Sequence, residues 1–227
     1  ENGWDRVRSQ LPAPDQKIML EAARQAVKIS NQYGITAWMD AAANAGIGDS
    51  LFELRPTEQS VGVLPLYRKL SEQGELSAHV AALLIAYPKS TPADLEVIAK
   101  VMQQFKGVPN LSFPGLKVFA DGILEYPGQS AAVLEPYKNS KKKGELLIDP
   151  AHFGELVVAA EKRDWIVHVH AVGDRAVREA LNSIEYARKL NPTPMPHSIG
   201  HIQLISPPDF PRFKQLGVIA DLQLLWA

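Results

Sequence analysis

The stretch 164–176 constrains the fold of this chain more than any other. It begins as a short apolar run rich in β-branched residues and reaches a helix start at Gly173-Asp174, so it predicts a buried strand followed directly by a helix. His168 and His170 lie two residues apart and share one face of that strand, and His170 lies at its carboxyl end, where parallel α/β folds bind ligands. Another histidine, His201, lies on the next predicted strand. Two histidines on the ends of successive strands predict a metal site.

The same alternation of strand and helix runs along the chain and predicts an α/β fold. Strands are predicted at residues 35–40, 76–87, 115–122, around 168, around 201 and at 218–224. The predicted helix caps are Asp15, Thr91, Asp149, Asp174 and Ser206. No Asn-Gly turn separates alternating apolar runs, so hairpins are not expected. The alternation predicts a parallel sheet, either in a barrel or in a doubly wound fold.

Residues 123–147 contain no predicted helix or strand. A loop of this length in a compact domain is usually a lid, a binding loop or a disordered segment. It holds four lysines, at positions 138, 141, 142 and 143. A charge run of this kind predicts a solvated surface rather than an anion site.

Composition narrows the kind of partner. Lys and Arg number 24 and Asp and Glu 25, so the formal net charge of −1 favours neither nucleic acid nor an anionic membrane, and a small-molecule substrate is expected. With no cysteine, a metal must be held by imidazole, carboxylate or modified lysine. No apolar run approaches the roughly 20 residues of a membrane span. The cytoplasm and the periplasm of a bacterium both stay open as compartments, and so does a homo-oligomer.

Four segments together resemble the metal-dependent amidohydrolase superfamily. They are residues 117–122, 130–137, 168–176 and 201–204. They are most similar to the amidohydrolase family 3 branch, which includes N-substituted formamide deformylases. The resemblance implies a distorted TIM-type (β/α)8 barrel beside a small β-sandwich.

Within that pattern, this chain is similar to strands two to seven of the barrel. We therefore expect residues 1–227 to form a single, incomplete barrel domain of six strand-helix units. The sandwich, the first strand with its His-x-His metal pair and the eighth strand with its catalytic aspartate have no counterpart here, so the catalytic residue is expected outside this chain. His168-Val-His170 could itself be the first-strand pair, but its position after four strand-helix units and its continuation into residues 171–176 favour the fifth strand.

The resemblance also implies the metal ligands. His170 and His201 would bind a divalent ion, most commonly zinc, together with Lys117, which many family members carry in carboxylated form. A buried lysine must otherwise be paired or neutral, and pairing with Asp121 or access to solvent is the alternative. The family often shows Glu-His at the sixth strand, whereas Gly200 stands here before His201.

Residues near these ligands are weaker candidates for contact with the substrate. They are Asp121, Tyr126 and His168. Asp121 could instead shape the turn into the loop, and His168 could be a packing residue. Trp226 would either wall the pocket or belong to the core, while Asp174 and Arg175 are expected to cap a helix and to lie at the surface.

The predicted function is metal-dependent hydrolysis of non-peptide carbon-nitrogen bonds of the amide kind. A divalent ion lowers the pKa of bound water to about 7, so that hydroxide can attack the carbonyl. Two alternatives remain. One is a noncatalytic α/β binding or scaffolding module with structural histidines, and the other is a deaminase of the same superfamily.

Overall fold

A computed structural model describes residues 7, 10, 12, 15–46, 55–191 and 195–223. The chain divides into two compact units, which are described separately. The first comprises Glu1–Ile85 and Glu96–Pro114, and the second comprises Ala86–Leu95 and Gly115–Ala227. The candidate site lies in the second unit.

The described elements alternate as the sequence predicted. In chain order they are α1 (Gln16–Gln32), β1 (Ala37–Asp40), α2 (Leu64–Glu72), β2 (His79–Ala86), α3 (Asp94–Gln104), β3 (Leu111–Phe119), α4 (Pro150–Glu161), β4 (Ile166–Ala171), α5 (Asp174–Leu190), β5 (Ser198–His201), a 3₁₀ turn (Pro207–Asp209), α6 (Phe210–Leu216) and β6 (Ile219–Asp221).

The strand order decides between the two folds that periodicity left open. The six strands follow one another in the sheet in the order β1 to β6, and the registered pairs are parallel. A doubly wound sheet reverses its order at a switch point, whereas a barrel adds each strand beside the previous one. The arrangement is therefore α/β with six parallel strands, consistent with part of a TIM-type barrel.

In the first unit, helix α1 begins as predicted because the carboxylate of Asp15 accepts the backbone N–H of Lys17 at 2.6 Å. One side of this helix packs on an apolar cluster. The buried members of the cluster are Val27, Leu70, Leu76 and Val80.

The third strand is longer than its sequence indicated. The run Pro109 to Pro114 predicted a connection and a strand starting at Gly115, but β3 begins at Leu111. Its register with β4 begins only at Gly115, so Pro114, which lacks an N–H, precedes that ladder. Sequence pattern missed the start because non-local pairing, and not local propensity, determines it.

In the second unit, helices α4 and α5 pack against each other and against β4. Asp149 caps α4 as predicted, accepting the N–H groups of Ala151 and His152. Asp174 is not the cap that we expected, because it is the first residue of α5 and Gly173 precedes it as N-cap. The Asp174 carboxylate accepts the N–H of Leu134 at 2.8 Å instead.

The connection between β3 and α4 contains no helix or strand, as predicted, but it is packed rather than loose. Ala131, Ala132 and Val133 are buried within it. A Cβ added at Gly144 would lie 2.0 Å from the carbonyl oxygen of Ala131, so the chain passes over itself closely there. All four lysines of the segment are exposed, as expected for a solvated run.

The last strand is shorter than predicted. It spans Ile219–Asp221, within the expected range 218–224. Residue 224 and Trp226 lie outside the described residues. None of the described helices is long and apolar enough to span a bilayer.

Candidate metal centre

Strands β3 and β4 place four side chains in two adjacent layers on one face of the sheet. Lys117 is in register with His168, and Phe119 is in register with His170. Because side chains alternate along a strand, residues two apart share a face. Lys117 and His168 therefore lie one layer deeper than Phe119 and His170, which lie towards the carboxyl ends of the strands.

His201 reaches the same place by a different route. Its register partner on β4 is Ala171, while His170 is paired with Gly200, so regular alternation would direct His201 to the opposite face. The backbone departs from strand geometry here, because φ is 77° at His201 and 49° at Ile202. The rings of His170 and His201 lie 4.5 Å apart between centroids, edge to face at 64°.

Hydrogen bonds assign the proton on each ring. Nε2 of His170 lies 2.9 Å from the carbonyl oxygen of Gly122, and a carbonyl only accepts, so this nitrogen donates and the lone pair is on Nδ1. Nδ1 of His201 lies 2.5 Å from Oε1 of Gln223; with the amide in this orientation Nδ1 donates, and the lone pair of the ring is on Nε2. Each imidazole thus offers a defined nitrogen to a metal.

The histidines are neutral near pH 7. Burial lowers the pKa of His170 to about 4, with the positive charge of Lys117 and the His201 ring acting in the same direction. Burial also lowers the pKa of His201 below its usual value. Neutral imidazole is the form that binds metals.

Lys117 is buried, with 4% of its surface exposed. Within the described part of the chain its Nζ makes no hydrogen bond or ion pair, and it lies 5.1 Å from the centroid of the Phe119 ring. Burial lowers the pKa of Lys117 to about 8, against the opposing charge of Asp221. No described ion pair joins Lys117 to Asp121, whose carboxylate accepts backbone amides.

Asp121 is completely buried, and backbone amides occupy its carboxylate. It accepts the N–H groups of Ala132 and Val172 at 2.9 Å and of Gly173 at 2.8 Å. Burial raises the pKa of Asp121 to about 6, and the three amides oppose that rise. Substrate contact by Asp121 stays a prediction, and its observed bonds hold backbone segments together.

The buried His168 ring accounts for the glycine at position 200. The His168 ring is buried, and its Nδ1 lies 2.7 Å from Oγ of Ser198. A Cβ added at Gly200 would lie 3.2 Å from Cε1 and Nε2 of His168. The imidazole thus occupies the space in front of position 200, which gives a physical reason for glycine where the family often carries an acid.

The remaining predicted contact residue lies on the loop. Tyr126 is 78% exposed, so its ring is open to a ligand, but no described contact links it to the histidines. Tyr137, on the same loop, donates its hydroxyl to the carbonyl of Ala131 at 3.0 Å and so links two parts of the loop.

Sequence reasoning assigned no role to His197, which the structure places in a buried polar network. Its Nδ1 accepts the N–H of Val167 at 2.9 Å, and its Nε2 lies 2.9 Å from Oε1 of Glu161. Arg188 also binds that carboxylate. Gln223, the partner of His201, was missed as well, because no local pattern relates positions 22 residues apart.

The donor set matches part of a divalent metal site. Two neutral imidazoles with assigned lone pairs and a buried lysine converge on one face, whereas structural zinc takes four ligands and catalytic zinc three with water. No group of three His, Cys, Asp or Glu side chains able to hold a metal occurs among the residues described. The residues present therefore fit a metal as a partial ligand set.

Comparison with known proteins gives the family. A curated relative, the exoenzymes regulatory protein AepA of Pectobacterium carotovorum subsp. carotovorum, is 30% identical over 149 residues, covering 65% of this chain and 31% of AepA.

Two solved structures are each described as an uncharacterized metal-dependent hydrolase. The Pyrococcus horikoshii OT3 protein has a TM-score of 0.66 and 22% identity, covering 90% of this chain and 36% of its own.

The second of these structures, from Pyrococcus furiosus, has a TM-score of 0.64 and 26% identity, covering 88% of this chain and 36% of its own. The chain thus spans about a third of the length of these relatives. The model described as "Amidohydrolase family" matches residues 1–227, the full length of the sequence. The resemblance seen in the four sequence segments is confirmed at this level, and the chain belongs to the amidohydrolase family.

Proposed function

We propose that the intact protein is a metal-dependent hydrolase that cleaves non-peptide carbon-nitrogen bonds of the amide kind in small molecules. The observation that carries this proposal is the convergence of His170 and His201, whose ring centroids lie 4.5 Å apart. Family membership and the two Pyrococcus proteins described as metal-dependent hydrolases support a hydrolase role. The formamide deformylases stay the predicted branch.

His170 and His201 would hold the divalent ion through Nδ1 and Nε2, the nitrogens that carry their lone pairs. When bound, such an ion polarises a carbonyl and makes hydroxide available near neutral pH. The chain's own contribution is to keep both rings neutral by burial and to fix their tautomers through Gly122 and Gln223. Zinc is the metal that we expect, because neutral imidazole suits it.

Lys117 is the third ligand in this proposal, as a carbamate. Its ammonium group would first lose one proton. The neutral amine nitrogen would then form a bond to the carbon of carbon dioxide and release a second proton, which would leave a carbamate with an anionic oxygen as the ligand. Burial of Lys117 without a described anionic partner supports this role, because a buried cation is costly and a carbamate beside a metal is compensated.

Metal analysis of the intact protein tests the proposal. We expect about one equivalent or more of zinc, manganese or iron in the purified protein, and its loss in the His170→Ala, His201→Ala double variant. His152→Ala is the matched control, since this histidine is exposed on α4. Less than about a tenth of an equivalent, with no amide hydrolysis after metal is added, would contradict the hydrolase.

A noncatalytic module is the second candidate, and one observation favours it. AepA is described as a regulatory protein of exoenzymes, and it is 30% identical to this chain over 149 residues. A screen of amide and amine substrates with metal-loaded protein separates the candidates. Turnover to a carboxylate and an amine supports the amide hydrolase, release of ammonia from an amine supports the deaminase alternative, and no turnover supports the noncatalytic module.

A further inference from the structure

The carboxylate of Asp121 joins three backbone segments around His170. Asp121 lies just after β3, and its oxygens accept the amides of Val172 and Gly173, which follow His170 directly, and of Ala132 in the loop. All three bonds measure 2.8–2.9 Å, the length of well-formed hydrogen bonds. The carboxylate is completely buried, so water does not compete for these donors.

The residue after Asp121 makes the contact that orients the imidazole. The carbonyl of Gly122 accepts Nε2–H of His170 at 2.9 Å. Asp121 is therefore linked to both the acceptor and the donor of this hydrogen bond. It is covalently joined to the acceptor, and it binds the backbone that carries the donor ring.

The surrounding backbone leaves little room for that contact to shift. A Cβ added at Gly122 would lie 2.1 Å from Oγ of Ser130, and one added at Gly173 would lie 2.1 Å from the carbonyl oxygen of Ala132. Both glycines permit close approaches that any other residue would prevent. The Asp121 carboxylate is the polar group that these tightly packed segments share.

Asp121 does not hold the ring directly. Its Oδ1 lies 3.7 Å from Nε2 of His170, beyond hydrogen-bond distance, while its amide bonds are short. The imidazole N–H is instead bonded to the carbonyl of Gly122, which lies 2.9 Å from Nε2.

We infer that Asp121 is the positioning residue of this site, which acts through the backbone of residues 122, 172 and 173 to hold His170 as the Nε2–H tautomer with its Nδ1 lone pair directed to a ligand. The tautomer part of this inference stands on its own, and only the identity of the ligand as a metal rests on the proposed function. Asp121 is then neither a ligand nor a contact for the substrate.

The first test leaves Asp121 unchanged and uses a variant only to assign the signal. Metal-free intact protein labelled with ¹⁵N-histidine is recorded at pH 7.5 by long-range ¹H–¹⁵N correlation, and His170→Gln assigns the signal. We expect one ring with a protonated Nε2 and an unprotonated Nδ1. A protonated Nδ1 on His170, or a cationic ring, overturns the inference.

The second test compares two aspartates whose carboxylates accept backbone amides of the loop. Asp121→Asn removes an acceptor and introduces an NH₂ group that faces backbone donors, so we expect the His170 signal to become a mixture of tautomers and affinity for added zinc to fall about 10- to 100-fold. Asp174→Asn is the matched control, because Asp174 accepts an amide of the same loop but has no described bond to the segments at His170.

The outcomes separate positioning from general loop stability. An unchanged tautomer in Asp121→Asn, or an equal change in Asp174→Asn, overturns the inference. If Asp121→Asn does not fold, the wild-type signal still tests the tautomer, and a protonated Nδ1 on His170 overturns the inference. If the tautomer responds as expected but zinc binds neither protein, Asp121 positions His170 and the proposed metal-dependent hydrolase fails.

Discussion

His201 shows how much of the site depends on the conformation of a single residue. A φ of 77° is uncommon for a residue other than glycine and carries a cost of about 1–2 kcal/mol. This conformation brings the His201 ring to the same face as His170, whereas regular strand geometry would place it on the opposite face. Backbone strain of this kind, maintained by surrounding contacts, is characteristic of functional sites.

Gly200→Ala tests the close approach beside it. The added methyl carbon would lie 3.2 Å from the His168 ring, so the ring must move away from Ser198 or strain the strand. We expect the free energy of unfolding, measured by urea titration, to fall by about 1–3 kcal/mol.

A double-variant cycle supplies the control for that prediction. If the His168 ring is the obstacle, Gly200→Ala should cost far less in a His168→Ala background. The same loss in both backgrounds would show that something other than this ring restricts position 200.

At the scale of the elements, the buried network of Glu161, Arg188 and His197 joins helix α4, helix α5 and the segment that leads into β5. Its members contribute to stability as a set, because each satisfies a charge or donor that would otherwise be buried alone.

Arg188→Met should therefore be strongly destabilising. It leaves the carboxylate of Glu161 buried without its cation, and breaking such a pair costs about 3–5 kcal/mol. Lys100→Met is the control, since Lys100 and Glu58 form an exposed pair whose loss should change little. Urea unfolding of both variants would check this, and equal effects would contradict a special role for the buried network.

At the scale of the whole molecule, stability should depend on pH through buried histidines. Burial lowers the pKa of His168 and His197 to about 3 and of His170 to about 4, whereas an unfolded histidine titrates near pH 6.5. Between these values the unfolded chain binds more protons, so stability is present above pH 6.5 and is lost as the pH falls.

Asp121 acts in the opposite direction, because burial raises its pKa to about 6 and the folded state takes up that proton first. Burial also raises the pKa of Glu161, which acts with Asp121, and lowers the pKa of His201, which acts with the other histidines. The histidines outnumber the carboxyl groups, so the balance favours loss of stability in acid. We expect the intact protein to unfold at lower urea concentration at pH 5 than at pH 7.5, with each net proton contributing about 1.4 kcal/mol per pH unit.

His197→Gln should reduce the pH dependence by removing one of the titrating histidines. Comparing the pH dependence of unfolding in this variant and in the wild type isolates that contribution from all others. Equal stability of the wild-type protein at the two pH values, or greater stability at pH 5, would contradict the assignment of neutral buried histidines.

The sequence by itself determined the alternation of strands and helices. The periodicity of apolar residues and helix caps such as Asp15 and Asp149 depend only on residues a few positions apart in the chain. It also placed His170 at a strand end and the chain in its family. Only the tertiary structure decided that β3 starts at Leu111, that Asp121 binds three distant amides and that the His201 ring turns towards His170. The physical reason is that register, close backbone approach and a left-handed φ arise from partners far apart in the chain, which no local pattern specifies.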